Sequence, residues 1–154
     1  MKKQMQKGFT LIEMLLVVAI LAILSGLVIL AINPQKQLQD AKISQRKADV
    51  ATILSAVYQY SIDNKGTMPG GNIPTAPTAA LEVCTSAVSA TCTTATLADL
   101  SALISTQTYI TAVPVDPAGN VTNGAGYTIQ KTANGRITVT APAVGGYPLY
   151  SATK

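Results

Sequence analysis

The most unusual chemical group in this sequence is a carboxylate inside a long apolar run. Three lysines precede Gly8, and the run from Phe9 to Ile32 contains Glu13 as its one charged residue. The run is about as long as a helix that crosses a bilayer, and the preceding lysines predict a cytoplasmic N-terminus. Because an acid placed in hydrocarbon costs about 2.5–3.5 kcal/mol, Glu13 is expected to have a partner.

Residues 8–13 are GFTLIE, and this hexapeptide resembles the processing site of type IV pilins and of type II secretion pseudopilins. The resemblance implies that a prepilin peptidase cleaves between Gly8 and Phe9, and that the new N-terminal Phe9 is methylated. It also implies a partner for the acid, since Glu13 would pair with the Phe9 amine of a neighbouring subunit. A buried ion pair of this kind is best attested as a device that sets registry between chains.

Two other interpretations of the apolar run fit the residues less well. A cleaved secretory signal needs a shorter apolar stretch and a small-residue cleavage site, and residues 24–26 (LSG) are a poor one. A plain single-span anchor accommodates the apolar run but leaves Glu13 without a partner. We therefore favour a leader at residues 1–8 and a membrane-spanning, filament-core helix at residues 9–33.

An amphipathic helix is expected directly after the membrane segment, at residues 34–65. Gly26 and Pro34 are the predicted weak points, and we favour one helix that bends there over a break between two helices. The apolar positions recur at near-helical spacing, and the charged ones lie mostly off that stripe. The stripe comprises Ile43, Val50, Ile53, Leu54, Val57 and Tyr60, whereas Lys42, Arg46, Lys47, Asp49 and Asp63 are assigned to the polar side.

Residues 66–154 are expected to form a small head, so the predicted fold is α+β and pilin-like, with a long helix packed on a small antiparallel sheet. Residues 67–95 predict a long loop. Cys84 and Cys92 would close part of this loop as a structural disulfide, because cysteines outside the cytoplasm favour one and their spacing does not fit a redox or metal pair. Residues 96–99 (TLAD) predict the start of a short helix.

The C-terminal part of the chain predicts a hairpin. Two segments of alternating polarity flank an Asn-Gly pair, and a three-residue loop ending at a left-handed Gly135 places Ile129 opposite Val139. A two-residue turn would mix the two faces of the strands. Residues 147–150 are a candidate third strand, which Pro148 would confine to the edge of the sheet.

Few residues remain for other chemistry. The chain has no histidine and seven scattered acids, which disfavours an enzyme and predicts no cofactor. Asp116 is a candidate calcium ligand, but calcium takes six to eight oxygens and no second carboxylate lies near in sequence, so we favour a turn residue. The formal net charge of +4 includes three lysines of the leader, so it says little about nucleic acid. Nucleic-acid binding is disfavoured because beyond Lys65 the three cations, Lys131, Arg136 and Lys154, are balanced by Glu82, Asp99 and Asp116.

The resemblance implies a structural subunit of a type IV pilus-like extracellular filament, a homo-oligomer assembled through its N-terminal helix. The alternatives are a type II secretion pseudopilin and a minor pilin for adhesion or DNA uptake. The implied partners are the prepilin peptidase, a membrane platform, an assembly motor and, before assembly, the lipid bilayer. The precursor is expected in the cytoplasmic membrane with its N-terminus in the cytoplasm, and the assembled filament at the cell surface.

Overall fold

The computed structural model describes residues 8–85, 97–119 and 124–154. The chain divides into two compact units, residues 1–38 and residues 39–154. The described part of the first unit is helical, and the second unit, called the head below, combines a helix with a sheet. The α+β class predicted from the sequence is confirmed.

Helix α1 runs from Leu11 to Ala31 and begins at an ordinary N-cap. The hydroxyl of Thr10 accepts a hydrogen bond from the backbone amide of Glu13 at 3.3 Å, which satisfies one of the free amides of the first turn. Residues Leu11–Ile29 are long and apolar enough to cross a membrane by length and composition, and none of them is buried within the protein. Such a helix needs lipid or other protein around it.

The single bent helix that we predicted is two helices in the structure. Helix α2 runs from Pro34 to Asp63, and Ile32, which follows α1, has an extended backbone. The side-chain oxygen of Asn33 accepts a hydrogen bond from the Lys36 amide at 3.3 Å. Asn33 is therefore the N-cap of α2, and Pro34 occupies the first helical position, where a missing N–H costs nothing. Gly26 lies inside α1, which continues through it.

The sheet of the head has five strands in the order β2-β1-β3-β4-β5. Strands β1 and β2 are parallel and the other neighbours are antiparallel, so the sheet is mixed, whereas a purely antiparallel one was predicted. A short helix, α3 (Ser101–Ile104), follows β2. The strands are β1 (Leu81–Cys84), β2 (Leu97–Ala98), β3 (Gly124–Lys131), β4 (Ile137–Ala141) and β5 (Tyr150–Thr153).

The core of the head lies between α2 and one face of this sheet. Alternate residues of β3 and β4 are buried, as a sheet with one covered face requires. From α2 the buried apolar residues are Val50, Ile53, Leu54, Ala56 and Val57, which confirms the centre of the predicted stripe, and the sheet contributes chiefly Val83, Ala125, Tyr127, Ile129, Ile137, Val139 and Ala141.

The predicted hairpin register is confirmed. Ile129 pairs with Val139, and the Thr132 amide donates to the Arg136 carbonyl at 2.7 Å, which leaves a loop of three residues. Gly135 ends that loop with φ +83°, a conformation that glycine adopts without steric cost. The candidate third strand at residues 147–150 is wrong in its bounds, because the edge strand is β5 (Tyr150–Thr153) and shares only Tyr150 with the predicted segment.

Two local predictions for the middle of the chain are wrong. The segment predicted as a loop contains β1, and the segment predicted to open a helix contains β2. Helix α3 begins later, where a side-chain oxygen of Asp99 accepts a hydrogen bond from the Ser101 amide at 2.8 Å. Cys84 is buried at the end of β1, whereas Cys92 lies outside the described residues, so the disulfide stays a prediction.

Candidate functional site

The N-terminal segment places its acid at the third position of α1. Thr10 and Glu13 have the spacing of a capping box, and the hydroxyl-to-amide half of that motif is present. An acid in the first turn also interacts favourably with the partial positive charge of the helix terminus. This local role was missed in the sequence analysis, although a threonine three residues before a glutamate is a readable signal.

The same acid has no ion-pair partner among the described residues. Phe9 is 79% exposed, Glu13 is exposed, and within the described ranges the ion pair that forms joins Arg46 to Asp116. A capping role accounts for the position of Glu13 but leaves its charge uncompensated once the helix enters an apolar medium. Cleavage after Gly8, methylation of Phe9 and pairing of Glu13 stay predictions.

The head contains a buried ion pair that the sequence analysis did not anticipate. Arg46 is 2% exposed, the Asp116 side chain is 0% exposed, and a guanidinium nitrogen lies 2.9 Å from the carboxylate. Arg46 also donates to the carbonyl oxygens of Pro142 and Pro148, and the second Asp116 oxygen accepts from the Ala118 amide at 2.9 Å. The Arg46 guanidinium therefore links α2 to the loop at Asp116 and to the segment after β4.

This geometry corrects the assignment of Arg46 and adds a partner to Asp116. Arg46 was placed on the polar side of α2, yet it lies one helical turn before Val50 on the buried face. Asp116 is the turn residue that we favoured, since its carbonyl oxygen accepts a hydrogen bond from the Gly119 amide at 3.1 Å. Its carboxylate, given as a possible calcium ligand, is occupied by the guanidinium. The described residues contain no group of three or more side chains suited to a metal ion. Gly126 allows Asp116 to lie close to the backbone of β3, because a Cβ at position 126 would lie 2.7 Å from the Asp116 Cβ.

A second buried polar contact holds α2 to the sheet. The hydroxyl of Tyr127 donates to a carboxylate oxygen of Asp49 at 2.7 Å, and the tyrosine is fully buried. Burial, and next the adjacent Asp49 carboxylate, raise the pKa of Tyr127 well above its ordinary value. The phenol is therefore held in its neutral, hydrogen-bonding form.

An apolar N-terminal helix that starts at a GFTLIE segment, followed by a small α+β head, defines a pilin-like subunit. Residues 3–32 match the family model described as the prokaryotic N-terminal methylation motif. The chain therefore carries, within these residues, the N-terminal motif that pilins and pseudopilins share. No solved structure matches the chain.

Three curated relatives carry the same name, "Type II secretion system core protein G". The one from Pseudomonas aeruginosa is 39% identical over 64 residues, 42% of this chain and 44% of the relative. The one from Escherichia coli is 29% identical over 115 residues, 75% of this chain and 68% of the relative. The one from Aeromonas hydrophila is 38% identical over 66 residues, which is 42% of this chain and 43% of the relative. The chain thus spans less than half the length of two relatives and about two thirds of the third.

Proposed function

We propose that this chain is a pseudopilin subunit of a type II secretion system, the alternative that the sequence analysis placed behind a type IV pilus subunit. The observation that carries the proposal is the similarity to three relatives named as core protein G of that system, one of them aligned over 75% of this chain and hence into the head. The methylation motif alone is common to pilins and pseudopilins and does not separate them.

In the proposed pathway, α1 first anchors the precursor in the cytoplasmic membrane. Cleavage between Gly8 and Phe9 removes the basic leader and creates a positive N-terminal amine. In a growing filament, Glu13 of one subunit neutralises the Phe9 amine of its neighbour, so the acid that is costly in lipid is compensated by assembly. The exposed apolar surface of α1 then exchanges lipid for the α1 helices of other subunits.

The first experiment tests whether the chain is cleaved after Gly8 and methylated at Phe9. The protein is purified from membranes of its native host, and the N-terminal peptide is analysed by mass spectrometry. The proposal expects a chain that begins at Phe9 and carries a methyl group on its amine. A chain that begins at Met1 in its working state would contradict it.

A second experiment separates a pseudopilin from a pilus subunit. The gene is deleted, and the strain is examined for secreted proteins in the medium and for surface fibres by electron microscopy. A pseudopilin predicts retention of secreted proteins inside the cell with surface fibres unchanged. Loss of long fibres with normal secretion would instead support the type IV pilus interpretation.

A further inference from the structure

The C-terminal segment of the head lies against the first head turns of α2 through two lysine–tyrosine contacts. The ammonium of Lys42 lies 5.9 Å from the ring centroid of Tyr147, and that of Lys47 lies 5.8 Å from the ring centroid of Tyr150. Between the two tyrosines, the Pro148 carbonyl accepts a hydrogen bond from Arg46 at 3.1 Å. The segment is thereby fixed on the helix with its remaining side chains outward.

The outward side chains of this segment are apolar. Leu149 is 62% exposed and lies between Pro148 and Tyr150 in the chain, and Val144 is 38% exposed. A tight turn through two glycines of positive φ, closed by the Tyr147 amide and the Val144 carbonyl at 2.9 Å, brings Val144 back beside the tyrosine. We call Lys42, Lys47, Val144, Tyr147, Leu149 and Tyr150 the lysine–tyrosine patch.

The position of the patch along the chain adds a further observation. Since α2 begins at Pro34, Lys42 lies about 12 Å and Lys47 about 20 Å along the helix axis from that start. The patch therefore belongs to the part of the head that the chain enters directly after α1.

We propose that the lysine–tyrosine patch docks on the headgroup region of the bilayer that α1 crosses, and so holds the head of the precursor on the membrane surface before assembly. The proposal rests on the membrane-anchored precursor described above. Tyrosine is enriched at membrane–water interfaces, lysine is attracted by anionic headgroups, and an exposed leucine between tyrosines can enter the acyl boundary. The occupant is thus an anionic phospholipid surface.

The chain contains no tryptophan, so a single substitution creates a specific fluorescent reporter. Full-length protein is reconstituted singly into nanodiscs of phosphatidylcholine and phosphatidylglycerol with brominated acyl chains, which quench nearby indole rings. Leu149→Trp is expected to lose about half of its emission relative to unbrominated discs, because the ring lies at the acyl boundary. Ile62→Trp is the matched control, since this residue is also exposed (56%) and lies near the far end of α2. It should keep its emission.

The charge dependence is measured in the Leu149→Trp background. Lys42→Gln with Lys47→Gln should reduce the quenching in phosphatidylglycerol discs to about the level found in pure phosphatidylcholine, and added salt should act in the same direction. Lys65→Gln with Lys131→Gln removes the same charge elsewhere on the head and should leave the quenching unchanged. Equal effects of the two pairs would overturn the role given to Lys42 and Lys47.

A reporter inside α1, Val17→Trp, distinguishes failure of docking from failure of anchoring. If Val17→Trp is quenched and Leu149→Trp is not, docking is wrong and the anchored precursor stands. If neither is quenched, both proposals fail. Equal quenching of Ile62→Trp overturns a specific docking surface. In a separate preparation with two copies per disc, a blue shift of Leu149→Trp without bromine quenching, absent from the single-copy discs, would overturn lipid docking and assign the patch to a second subunit.

Discussion

Both the N-terminal helix and the head place a charged group among apolar residues, but among the residues that the structure describes only the charge in the head has an ion-pair partner. Arg46 is buried with Asp116 and two carbonyl oxygens, and the described residues contain no buried side-chain nitrogen or oxygen atom without a hydrogen bond. Glu13 projects from an exposed apolar helix and forms no ion pair within the described residues. In the proposed function, the partner of Glu13 comes from a neighbouring subunit, so removing each of the two charges should have a different effect.

The strongest test of this contrast is removal of the Glu13 charge. Deleting one partner of a buried ion pair costs about 3–5 kcal/mol, so Glu13→Ala should reduce cross-linked oligomers in native membranes by about a hundredfold or more. Thermal unfolding of the head in detergent should not change. Asp40→Asn removes an exposed acid from α2 and is the matched control.

Glu13→Gln separates the charge from the cap. Glutamine also serves at the third position of a capping box, so this variant retains a side chain suited to the helix start while losing the charge. We expect it to assemble as poorly as Glu13→Ala. Normal assembly of Glu13→Gln would mean that Glu13 acts through the start of α1 and not through a neighbouring amine.

The converse experiment breaks the pair inside the head. Asp116→Ala leaves the Arg46 guanidinium buried without its anion, and should lower the free energy of unfolding by about 3–5 kcal/mol. Thermal unfolding followed by near-UV circular dichroism in detergent measures this loss. The double variant Arg46→Met with Asp116→Leu should be clearly more stable than Asp116→Ala, because it leaves no unpaired charge. A double variant as unstable as the single one would show that packing, and not charge, dominates at this site.

The predictable parts of the molecule are those that depend on local repetition. The apolar residues of α2 recur with the helical period, and those of β3 and β4 alternate around Gly135, so both elements and their register could be derived. Strands β1 and β2 have four and two residues, too few to show alternation, and they are defined by pairing with distant strands. Local patterns carry little information about such pairing.

The two candidate sites also differ in whether they could be predicted from local sequence. The N-terminal motif is contiguous, so it could be recognised directly from the sequence. The partner of Arg46 lies 70 residues away, and nothing in the sequence around either residue pairs them. The helix break was readable, since Asn33 before Pro34 is a standard start signal, but the continuity of helix-forming residues on both sides outweighed it in the prediction.

A smaller effect is expected from the second buried polar contact of the head. Tyr127→Phe leaves a carboxylate oxygen of Asp49 without its donor and should cost about 1–3 kcal/mol at neutral pH. The folded state raises the pKa of Tyr127 above the ordinary 10.0. The stabilisation that the neutral phenol gives the folded state is therefore fully present below pH 10.0 and is lost as the pH rises further. The wild-type chain should therefore lose stability above about pH 10 more steeply than Tyr127→Phe. Parallel curves for the two proteins would contradict the assignment.

The smallest effect concerns the junction between the two regions. If Asn33 caps α2, Asn33→Ala should lower the stability of the first turn of α2 by about 1 kcal/mol. Hydrogen exchange at the Lys36 amide, which donates to the Asn33 side chain, should then accelerate about fivefold while amides near Val57 keep their protection. Asn33→Ser retains a capping oxygen and should exchange nearly as slowly as the wild type. If Asn33→Ala changes nothing, Asn33 is not a functional cap, and the interruption of the helix is due to Pro34 alone.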